Sequence, residues 1–347
     1  MSELLVEREG AAGRLSLNRP KAIHALTLGM CRAMIAALRE WRDDDAVQAI
    51  LIDHAEGRGF CAGGDIGLLR KSALEDGGEA GRRFFFQEYR LNHLIFSYPK
   101  PTVAFMDGIT MGGGVGIALP AKFRVATENT RLAMPETGIG LFPDVGGGWY
   151  LSRLPGRLGQ FLALTGARLD GAECLWAGLA THYLPHDRLV EAKARIAEHP
   201  ARAAGILADL AIVPPPARIE GNATRVAKLF ASDRYEDIIA ALEADGGEWA
   251  QKELATLSTK SPQTCKVALR ELAESQKLAD FADEMRMEYR VASRVLMRPD
   301  FAEGVRAVIV DKTNDPKWDP ARPEEVSDAL LDAIFAPLPQ DEEWNPL

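Results

Sequence analysis

The chain has 347 residues, of which 47% are hydrophobic and 26% are charged, and its formal net charge is −9. This length suffices for one large domain or two medium ones with a sizeable core. The acidic balance, without a dense basic run, argues against a general nucleic-acid surface. The cysteines Cys31, Cys61, Cys174 and Cys265 lie far apart, so neither a zinc knuckle nor a disulfide framework is predicted, and a reducing compartment fits best.

The N-terminal residues contain no basic stretch followed by an apolar one, so no secretory signal peptide is predicted. No stretch approaches the ~20 apolar residues that a membrane-spanning helix needs. We therefore predict a cytoplasmic protein without a membrane partner.

The first part of the chain repeats one order of predicted elements: a strand, a turn of small residues, then a helix. Thr27 is a suitable N-cap for an amphipathic helix that ends near Trp41. Alternating or continuous apolar segments predict strands at residues 4–7, 13–17, 49–52, 102–106, 123–126 and 132–133, and helical spacing predicts a further helix over 84–96. Repeated β-β-α units predict a stacked or coiled α/β core, which we assign to residues 1–200.

The second part of the chain is predicted to be mostly helical, over residues 201–347. Its apolar residues follow helical spacing, for instance over 262–275, and the one strand signal lies at 307–310. Prolines at 214–216 indicate a linker between helices. The proline-rich, acidic end after Ala336 predicts loose order.

Two glycine-rich turns and one carboxylate indicate a catalytic site. The turns are segment 61–65 (CAGGD) and segment 111–114 (MGGG), and Glu136 follows in segment 133–138 (AMPETG). Glycine places no Cβ between its N–H group and a ligand, and a turn that leads into a helix leaves N–H groups unpaired. If the two turns converge, such donors can stabilise an oxyanion while Glu136 acts as base or nucleophile.

Other motifs have competing interpretations. Segment 57–62 matches a loose dinucleotide fingerprint, but the acidic residues that should follow lie in a glycine-rich loop, so nicotinamide binding is the weaker interpretation. Asp65 is interpreted as a helix cap. Glu88 lies on a predicted helix where the default is a solvated face, and Asp144 either caps a helix or faces a pocket. No histidine has a partner at metal or triad spacing, so neither a histidine mechanism nor a metal is predicted.

The same segments resemble the crotonase superfamily, also called the enoyl-CoA hydratase/isomerase family, over nearly the whole chain. Segments 18–21 (NRPK), 60–66 (FCAGGDI) and 108–114 (GITMGGG) carry the resemblance. It implies a crotonase-like spiral of β-β-α units followed by a helical C-terminal region, with acyl-CoA as substrate and no separate cofactor. It also implies that the N–H groups of Gly64 and Gly113 form the oxyanion hole for the thioester carbonyl.

Within the family, a long block resembles the branch that hydrolyses short 3-hydroxyacyl-CoA thioesters. This block spans segment 134–148 (MPETGIGLFPDVGGG), with further support from 108–116 and 123–128. The residues that the resemblance implies as substrate contacts are Glu88, Gly113, Glu136 and Asp144. Asp144 is assigned to the acyl hydroxyl, and Glu88 to ordering Glu136 or water.

One position departs from the hydratases of the family, which carry a first catalytic glutamate just after the glycine run, where this chain has Gly116. Hydration needs both a base for water and a proton donor for the α-carbon, whereas thioester hydrolysis can proceed with one carboxylate and an oxyanion hole. This difference favours hydrolysis, and the resemblance implies 3-hydroxyisobutyryl-CoA of valine breakdown as the substrate. A Δ3,Δ2-enoyl-CoA isomerase is the alternative, followed by a hydratase and by a protein that binds acyl-CoA without turnover.

CoA binding needs cations, and Lys21 lies with Arg19 in the loop that family members place near the CoA. We therefore expect Lys21 to contact the substrate. Two questions stay open at this point. Glu136 either forms an acyl anhydride or activates water, and the helical end either builds a homo-oligomer or does not.

Overall fold

The structure is a computed structural model that describes residues 2–347, and its strands form two sheets. The strands are β1 (Leu4–Glu9), β2 (Ala12–Leu17), β3 (Ala49–His54), β4 (Gly59–Cys61), β5 (Thr102–Met106), β6 (Ile109–Met111), β7 (Phe123–Ala126), β8 (Arg131–Ala133), β9 (Leu169–Asp170) and β10 (His182–Tyr183). The strands predicted from the apolar pattern of the first part are all present, with ends that differ by a few residues.

From β3 to β8, consecutive strands alternate between the two sheets, and this alternation produces the repeated unit. The larger sheet has the order β1-β2-β3-β5-β7-β10, in which β1 is antiparallel to β2 and the other neighbours are parallel. The smaller sheet has the order β4-β6-β8-β9, in which only β8 and β9 are antiparallel. After each of β3, β5 and β7, the next strand enters the smaller sheet and a helical segment follows. The predicted spiral of β-β-α units is confirmed.

The helices surround these sheets and form most of the second part of the chain. They are α1 (Leu28–Arg42), α2 (Ile66–Glu75), α3 (Glu79–Phe96), α4 (Gly113–Ala118), α5 (Gly147–Leu151), α6 (Leu158–Thr165), α7 (Gly171–Trp176), α8 (Leu189–Glu198), α9 (Ala203–Leu210), α10 (Ala223–Leu229), α11 (Tyr235–Asp245), α12 (Glu248–Leu257), α13 (Pro262–Ser275), α14 (Phe281–Val295), α15 (Pro299–Val305) and α16 (Asp328–Phe335). The hydroxyl of Thr27 accepts a hydrogen bond from the N–H of Met30, so the predicted cap of α1 is confirmed.

Strand β3 is apolar over residues 49–52 because both faces of the larger sheet are covered there. Ile50 and Ile52 belong to the main hydrophobic core, whereas Ala49 and Leu51 belong to a second core formed with α8 and α9. The main core extends from Leu4 to Trp344. Helix α14 packs on α3 and α13 packs on α6, so the C-terminal helices cover part of the core formed by residues 1–200. The domain boundary near residue 200 stays a prediction.

Two predictions about the C-terminal part are wrong. The apolar segment 307–310 is not a strand, because Arg306–Val310 forms a π-helical turn that continues α15. The end of the chain is not loosely packed, since Trp344 is 1% exposed and its indole N–H donates to the carbonyl of Phe86 at 3.2 Å. Both segments are ordered by surfaces of the core that are remote in sequence.

The remaining expectations concern membranes, thiols and nucleotides. No helix within residues 2–347 has the length and apolarity needed to cross a membrane. The four cysteines are buried, free thiols. The dinucleotide interpretation of segment 57–62 is wrong, because Gly59–Cys61 is itself strand β4 and the required strand, turn and helix do not coincide with the glycines.

Candidate active site

One cavity of about 460 Å³ collects both glycine turns and the predicted carboxylates. This volume lies within the range of small-molecule sites, about 300–1,000 Å³. Residues 62–144 build most of the wall, and the helical C-terminal part closes one side. The lining residues are Ala62, Gly63, Gly64, Ile66, Leu69, Phe84, Phe85, Glu88, Met111, Gly112, Gly113, Pro135, Glu136, Gly138, Ile139, Leu141, Asp144, Arg168, Thr259, Lys260, Val308, Ile309, Asn314 and Pro316.

The two glycine turns lie side by side. A Cβ built on Gly113 would be 3.2 Å from the backbone nitrogen of Gly64. Within the described residues, neither of these N–H groups donates to another protein group. Gly113 is the first residue of α4, where an N–H has no intrahelical acceptor. Gly112, with φ of 47°, turns the chain in a conformation that L side chains rarely adopt.

Glu136 begins the 3-10 turn Glu136–Ile139, which is separated from β8 by two residues. Its carbonyl accepts a hydrogen bond from the N–H of Leu141 at 3.0 Å, which closes the turn. The side chain is buried, its Oε2 has no hydrogen-bond partner, and its Oε1 is 3.0 Å from a Cβ built on Gly112. The carboxylate therefore lies beside the second glycine turn with one oxygen unpaired.

Glu88 does not face solvent as its helix position suggested by default. It is 2% exposed, because α3 is covered by α1 and α14. Its Oε1 has no hydrogen-bond partner, and a Cβ built on Gly113 would overlap this oxygen. Glu88 thus brings a second carboxyl group to the glycine turn.

Asp144 faces the cavity, and its carboxyl group does not cap the following helix. Its Oδ2 accepts a hydrogen bond from the hydroxyl of Tyr89 at 2.7 Å, and the side chain is buried. The next residue, Val145, has φ of 57°, a strained conformation for a β-branched residue. The backbone N–H groups of Gly146 and Gly148 donate instead to the carboxyl group of Glu288.

Burial raises the pKa of all three carboxyl groups in the cavity. Desolvation, followed by the charge of Asp144, holds the pKa of Glu136 well above its usual range. The pKa of Glu88 is also well above its usual range because of desolvation, then Asp144, then Glu136. Desolvation raises the pKa of Asp144 to about 6, although the hydrogen bond from Tyr89 opposes the rise. Acids coupled in this way titrate as a set, and a carboxylate with a raised pKa is a stronger base.

The expected CoA-contacting cations do not line the cavity. Lys21 is exposed on the 3-10 turn Pro20–Ala22. Arg19 is engaged in ion pairs, at 3.1 Å with Glu3 and at 3.4 Å with Asp65. It holds the first turn in place and is not a free cation. The contact between Lys21 and CoA stays a prediction, whereas the predicted helix cap by Asp65 is confirmed through its bond from the N–H of Leu68.

Sequence reasoning missed the cations that do line the cavity, Lys260 and Arg168. The Nζ of Lys260 is 3.4 Å from a Cβ built on Gly138, close in sequence to Glu136. Burial lowers the pKa of Lys260. No local pattern marks these residues, since only the packing of the C-terminal part on the core brings Lys260 to the cavity.

A second group of buried acids lies behind the cavity. Within residues 2–347, the carboxyl groups that could hold a metal ion are those of Glu271, Glu284 and Glu288, each contributing one oxygen within 4.8 Å of the others. A cluster of acids alone does not define a metal site, and the expectation of no metal stays a prediction.

The β-β-α spiral, the adjoining glycine turns and the buried carboxylate agree with the comparison with known families. The Enoyl-CoA hydratase/isomerase family matches residues 12–335, and the chain belongs to this family, the crotonase superfamily. It is 42% identical to the 3-hydroxyisobutyryl-CoA hydrolase, mitochondrial, of Xenopus tropicalis, over 97% of this chain and 89% of that protein. The human protein of the same name is 40% identical over the same shares of the two chains.

Solved structures with similar folds carry other names. The crystal structure of a carnitinyl-CoA dehydratase from Mycobacterium thermoresistibile superimposes with a TM-score of 0.93 at 43% identity, covering 98% of both chains. An enoyl-CoA hydratase from Rhodobacter sphaeroides 2.4.1 gives a TM-score of 0.92 at 36% identity, covering 99% of this chain and 100% of that one. The fold is thus shared by proteins named for different reactions on CoA esters, and the site has to decide between them.

Proposed function

We propose that this chain hydrolyses the thioester of 3-hydroxyisobutyryl-CoA to 3-hydroxyisobutyrate and CoA, a step of valine breakdown. Glu136 beside the two glycine turns supports hydrolysis of an acyl-CoA, because one base and an oxyanion hole suffice for this reaction. The relatives named 3-hydroxyisobutyryl-CoA hydrolase support the acyl group.

The packing around Gly116 is the observation that favours hydrolysis over hydration. A Cβ built on Gly116 would lie 2.5 Å from the Cβ of Val145 and 3.0 Å from the Nδ2 of Asn92. Asn92 also donates to the carbonyl of Gly116 at 2.8 Å. A glutamate therefore does not fit at the position where hydratases of the family carry their first catalytic carboxylate. A hydratase would have to use Glu88, from a different helix, in its place.

In the proposed reaction, the thioester oxygen accepts hydrogen bonds from the N–H groups of Gly64 and Gly113. The oxygen of a water molecule attacks the carbonyl carbon while Glu136 accepts a proton from that water. The resulting oxyanion is stabilised by the two N–H groups, and its collapse breaks the C–S bond. The proton held by Glu136 then neutralises the CoA thiolate.

The covalent version uses the same residues. Glu136 attacks the carbonyl carbon, CoA leaves as the thiolate, and water hydrolyses the acyl anhydride. Hydroxylamine in the assay distinguishes the two versions. An anhydride intermediate would be diverted to the acyl hydroxamate at a rate equal to thiol release, whereas a direct attack by water would leave the free acid as the main product.

Asp144 and Glu88 are assigned supporting roles. We place the 3-hydroxyl group of the substrate on Asp144, whose carboxyl group faces the cavity from the segment that follows Glu136. Glu88 lies at the glycine turn and would order Glu136 or the attacking water. A cytoplasmic location and a homo-oligomer remain predictions, and the relatives carry the word mitochondrial in their names.

The experiment that tests the proposal is thiol release from 3-hydroxyisobutyryl-CoA, followed with a chromogenic disulfide. Hydration of crotonyl-CoA and isomerisation of a 3-enoyl-CoA are measured in parallel. We expect rapid thiol release that Glu136→Gln lowers at least a thousandfold while leaving the thermal unfolding curve nearly unchanged, since the amide keeps the volume but is not a base.

Each of the other outcomes would indicate a different function. Conversion of 3-enoyl-CoA without thiol release would replace hydrolysis by isomerisation, and conversion of crotonyl-CoA would show that Glu88 completes a hydratase site. Tight binding of the acyl-CoA without any turnover would indicate a binding protein. Full thiol release by Glu136→Gln would remove Glu136 from the mechanism.

A further inference from the structure

Three glutamates from the C-terminal helices form a buried cluster behind the cavity, apart from the residues that contact substrate. Glu271 lies on α13, and Glu284 and Glu288 lie one turn apart on α14. All three are fully buried. Both carboxyl oxygens of Glu271 and Oε2 of Glu284 have no hydrogen-bond partner, although an unpaired buried polar group is costly. The reaction as proposed does not use these residues.

Glu288 differs from its two neighbours because it contacts the backbone next to Asp144. Its Oε2 accepts a hydrogen bond from the N–H of Gly146 at 2.8 Å, and its Oε1 accepts one from the N–H of Gly148 at 3.3 Å. These N–H groups are buried and need acceptors, and one carboxyl group serves both.

The backbone between Glu288 and Asp144 has little freedom. Val145 is held at φ of 57°, and its side chain fills the space above Gly116 on α4. The carbonyl of Asp144 accepts a hydrogen bond from the N–H of Gly147 at 2.8 Å, which tightens the turn. A shift of the amides that Glu288 holds would therefore be passed on to the Asp144 carboxyl group.

The neighbouring acids explain how the carboxyl group of Glu288 is tolerated in the protein interior. Burial raises the pKa of Glu284 to about 7, and the pKa of Glu288 lies well above its usual range because of burial and the charge of Glu284. A raised pKa favours a proton on Glu284, which lowers the net charge of the pair, while both oxygens of Glu288 face the amides. Ser275 donates to Glu284 at 2.7 Å and completes the support.

We propose that Glu288 is a positioning residue for the reaction. Its carboxyl group holds the amides of Gly146 and Gly148 and thereby orients the carboxyl group of Asp144 in the cavity. This inference rests on the proposed role of Asp144 in binding the acyl group. It assigns to the C-terminal helix α14 a function in the site that is separate from covering the core.

The test uses Glu288→Gln, which keeps the side-chain volume but presents an NH₂ group to one of the two amides. We expect kcat to fall about 10- to 100-fold, as for a group misplaced by roughly 1 Å. The acyl-CoA reaction measured is whichever one the wild type catalyses. Glu253→Gln is the matched control, since Glu253 is a buried glutamate on α12 that does not line the cavity. Its kcat should equal that of the wild type.

A double-mutant cycle separates positioning from a general loss of stability. If Glu288 acts through Asp144, Glu288→Gln should lower kcat less than twofold in the background of Asp144→Asn, because interacting residues are not additive. Hydrogen exchange of peptides covering residues 144–149 should accelerate in Glu288→Gln and not in Glu253→Gln. If Glu288→Gln does not fold, Glu288→Asp serves in its place, because the shorter carboxylate cannot reach both amides.

Two results would overturn the inference. Equal losses of kcat from Glu288→Gln in the wild type and in the Asp144→Asn background would show that Glu288 does not act through Asp144. An unaltered kcat for Asp144→Asn would remove the role that Glu288 is proposed to support. Neither result depends on which reaction is catalysed, so a failure of the hydrolase assignment itself is seen separately, in the wild-type assays.

Discussion

Within residues 2–347, the hydroxyl of Tyr89 is the one side-chain group that donates a hydrogen bond to the carboxyl group of Asp144. A hydrogen bond to a charged group is worth about 1.5 kcal/mol or more, and about 1.4 kcal/mol corresponds to one pKa unit. Tyr89→Phe should therefore raise the pKa of Asp144 from about 6 and move the acid limb of the kcat/KM profile upward by roughly one pH unit. Activity above pH 8 should be nearly unchanged.

The control for Tyr89→Phe is Tyr150→Phe. The hydroxyl of Tyr150 is buried without a hydrogen-bond partner, so its removal takes away no bond. Its pH profile should coincide with that of the wild type. If both variants gave the same acid limb, ionisation of Asp144 would not control the reaction.

A second residue-scale prediction concerns the cations at the cavity. Lys260 lines the cavity, and no carboxyl group is among the charges that oppose the lowering of its pKa by burial, so an anionic substrate is its available partner. Lys260→Met should raise KM about tenfold with little change in kcat, because the lost contact is made equally before and during the reaction. Lys21→Met tests the alternative that Lys21, and not Lys260, binds the CoA. A rise of KM in Lys21→Met alone would restore the assignment made from sequence.

At the scale of elements, helix α4 meets the segment that carries Asp144 with no space left at Gly116. Gly116→Ala would push the new Cβ against Val145, and such overpacking costs about 1–3 kcal/mol. We expect a lower free energy of unfolding together with a lower kcat, since Val145 is next to Asp144. Denaturant unfolding and thiol release measure the two effects.

Helix α9 offers the matched control for Gly116→Ala. A Cβ built on Gly205 meets no atom within 4 Å, and the residue is exposed. Gly205→Ala should be neutral or stabilising by up to about 1 kcal/mol, because alanine is the better helix former. An equal effect of the two substitutions would contradict the tight contact at Gly116.

At the scale of the whole molecule, six buried acids make stability depend on pH. The pKa is raised by burial for Glu88, Glu136, Asp144, Glu271, Glu284 and Glu288. An acid whose pKa is higher in the folded state binds more protons there, so its contribution to stability is lost as pH rises from about 4.3 through the folded pKa. Burial also lowers the pKa of His24, His54, His93 and His182, and these bases oppose the trend because the unfolded state binds more protons at each of them. The acids are more numerous and more deeply buried, so Tm should fall between pH 5.5 and pH 8.

Glu271→Gln tests this reasoning because both oxygens of Glu271 are unpaired. The amide cannot ionise, and its NH₂ group can donate to the neighbouring carboxyl groups. We expect a smaller fall of Tm between pH 5.5 and pH 8 than in the wild type. Glu191→Gln is the control, since the Glu191 side chain is 40% exposed and its pKa is lowered by Arg188, and the slope of this variant should not become flatter. A fall of Tm as large as that of the wild type in Glu271→Gln would contradict the prediction.

Much of the site could be predicted from the chain itself. The glycine turns and Glu136 lie in short segments whose backbone is set by neighbouring residues, such as Gly112 before α4 and the turn that begins at Glu136. Lys260 and Glu288 could not be predicted in this way. Each lies on the C-terminal part and reaches the site only because α13 and α14 pack on the core.

The sequence by itself determined six of the ten strands, the two glycine turns and the order of the β-β-α units, because hydrophobic periodicity and glycine conformation are local properties. The short strands β4, β6, β9 and β10 were not predicted, since two or three residues carry too little periodicity. Only the tertiary structure decided that Glu88 is buried, that the apolar segment at residues 307–310 is a π-helical turn, and that Trp344 closes the end of the chain. Burial and pKa depend on atoms that are distant in sequence. These long-range contacts convert three ordinary acids into a coupled group beside the two glycine turns.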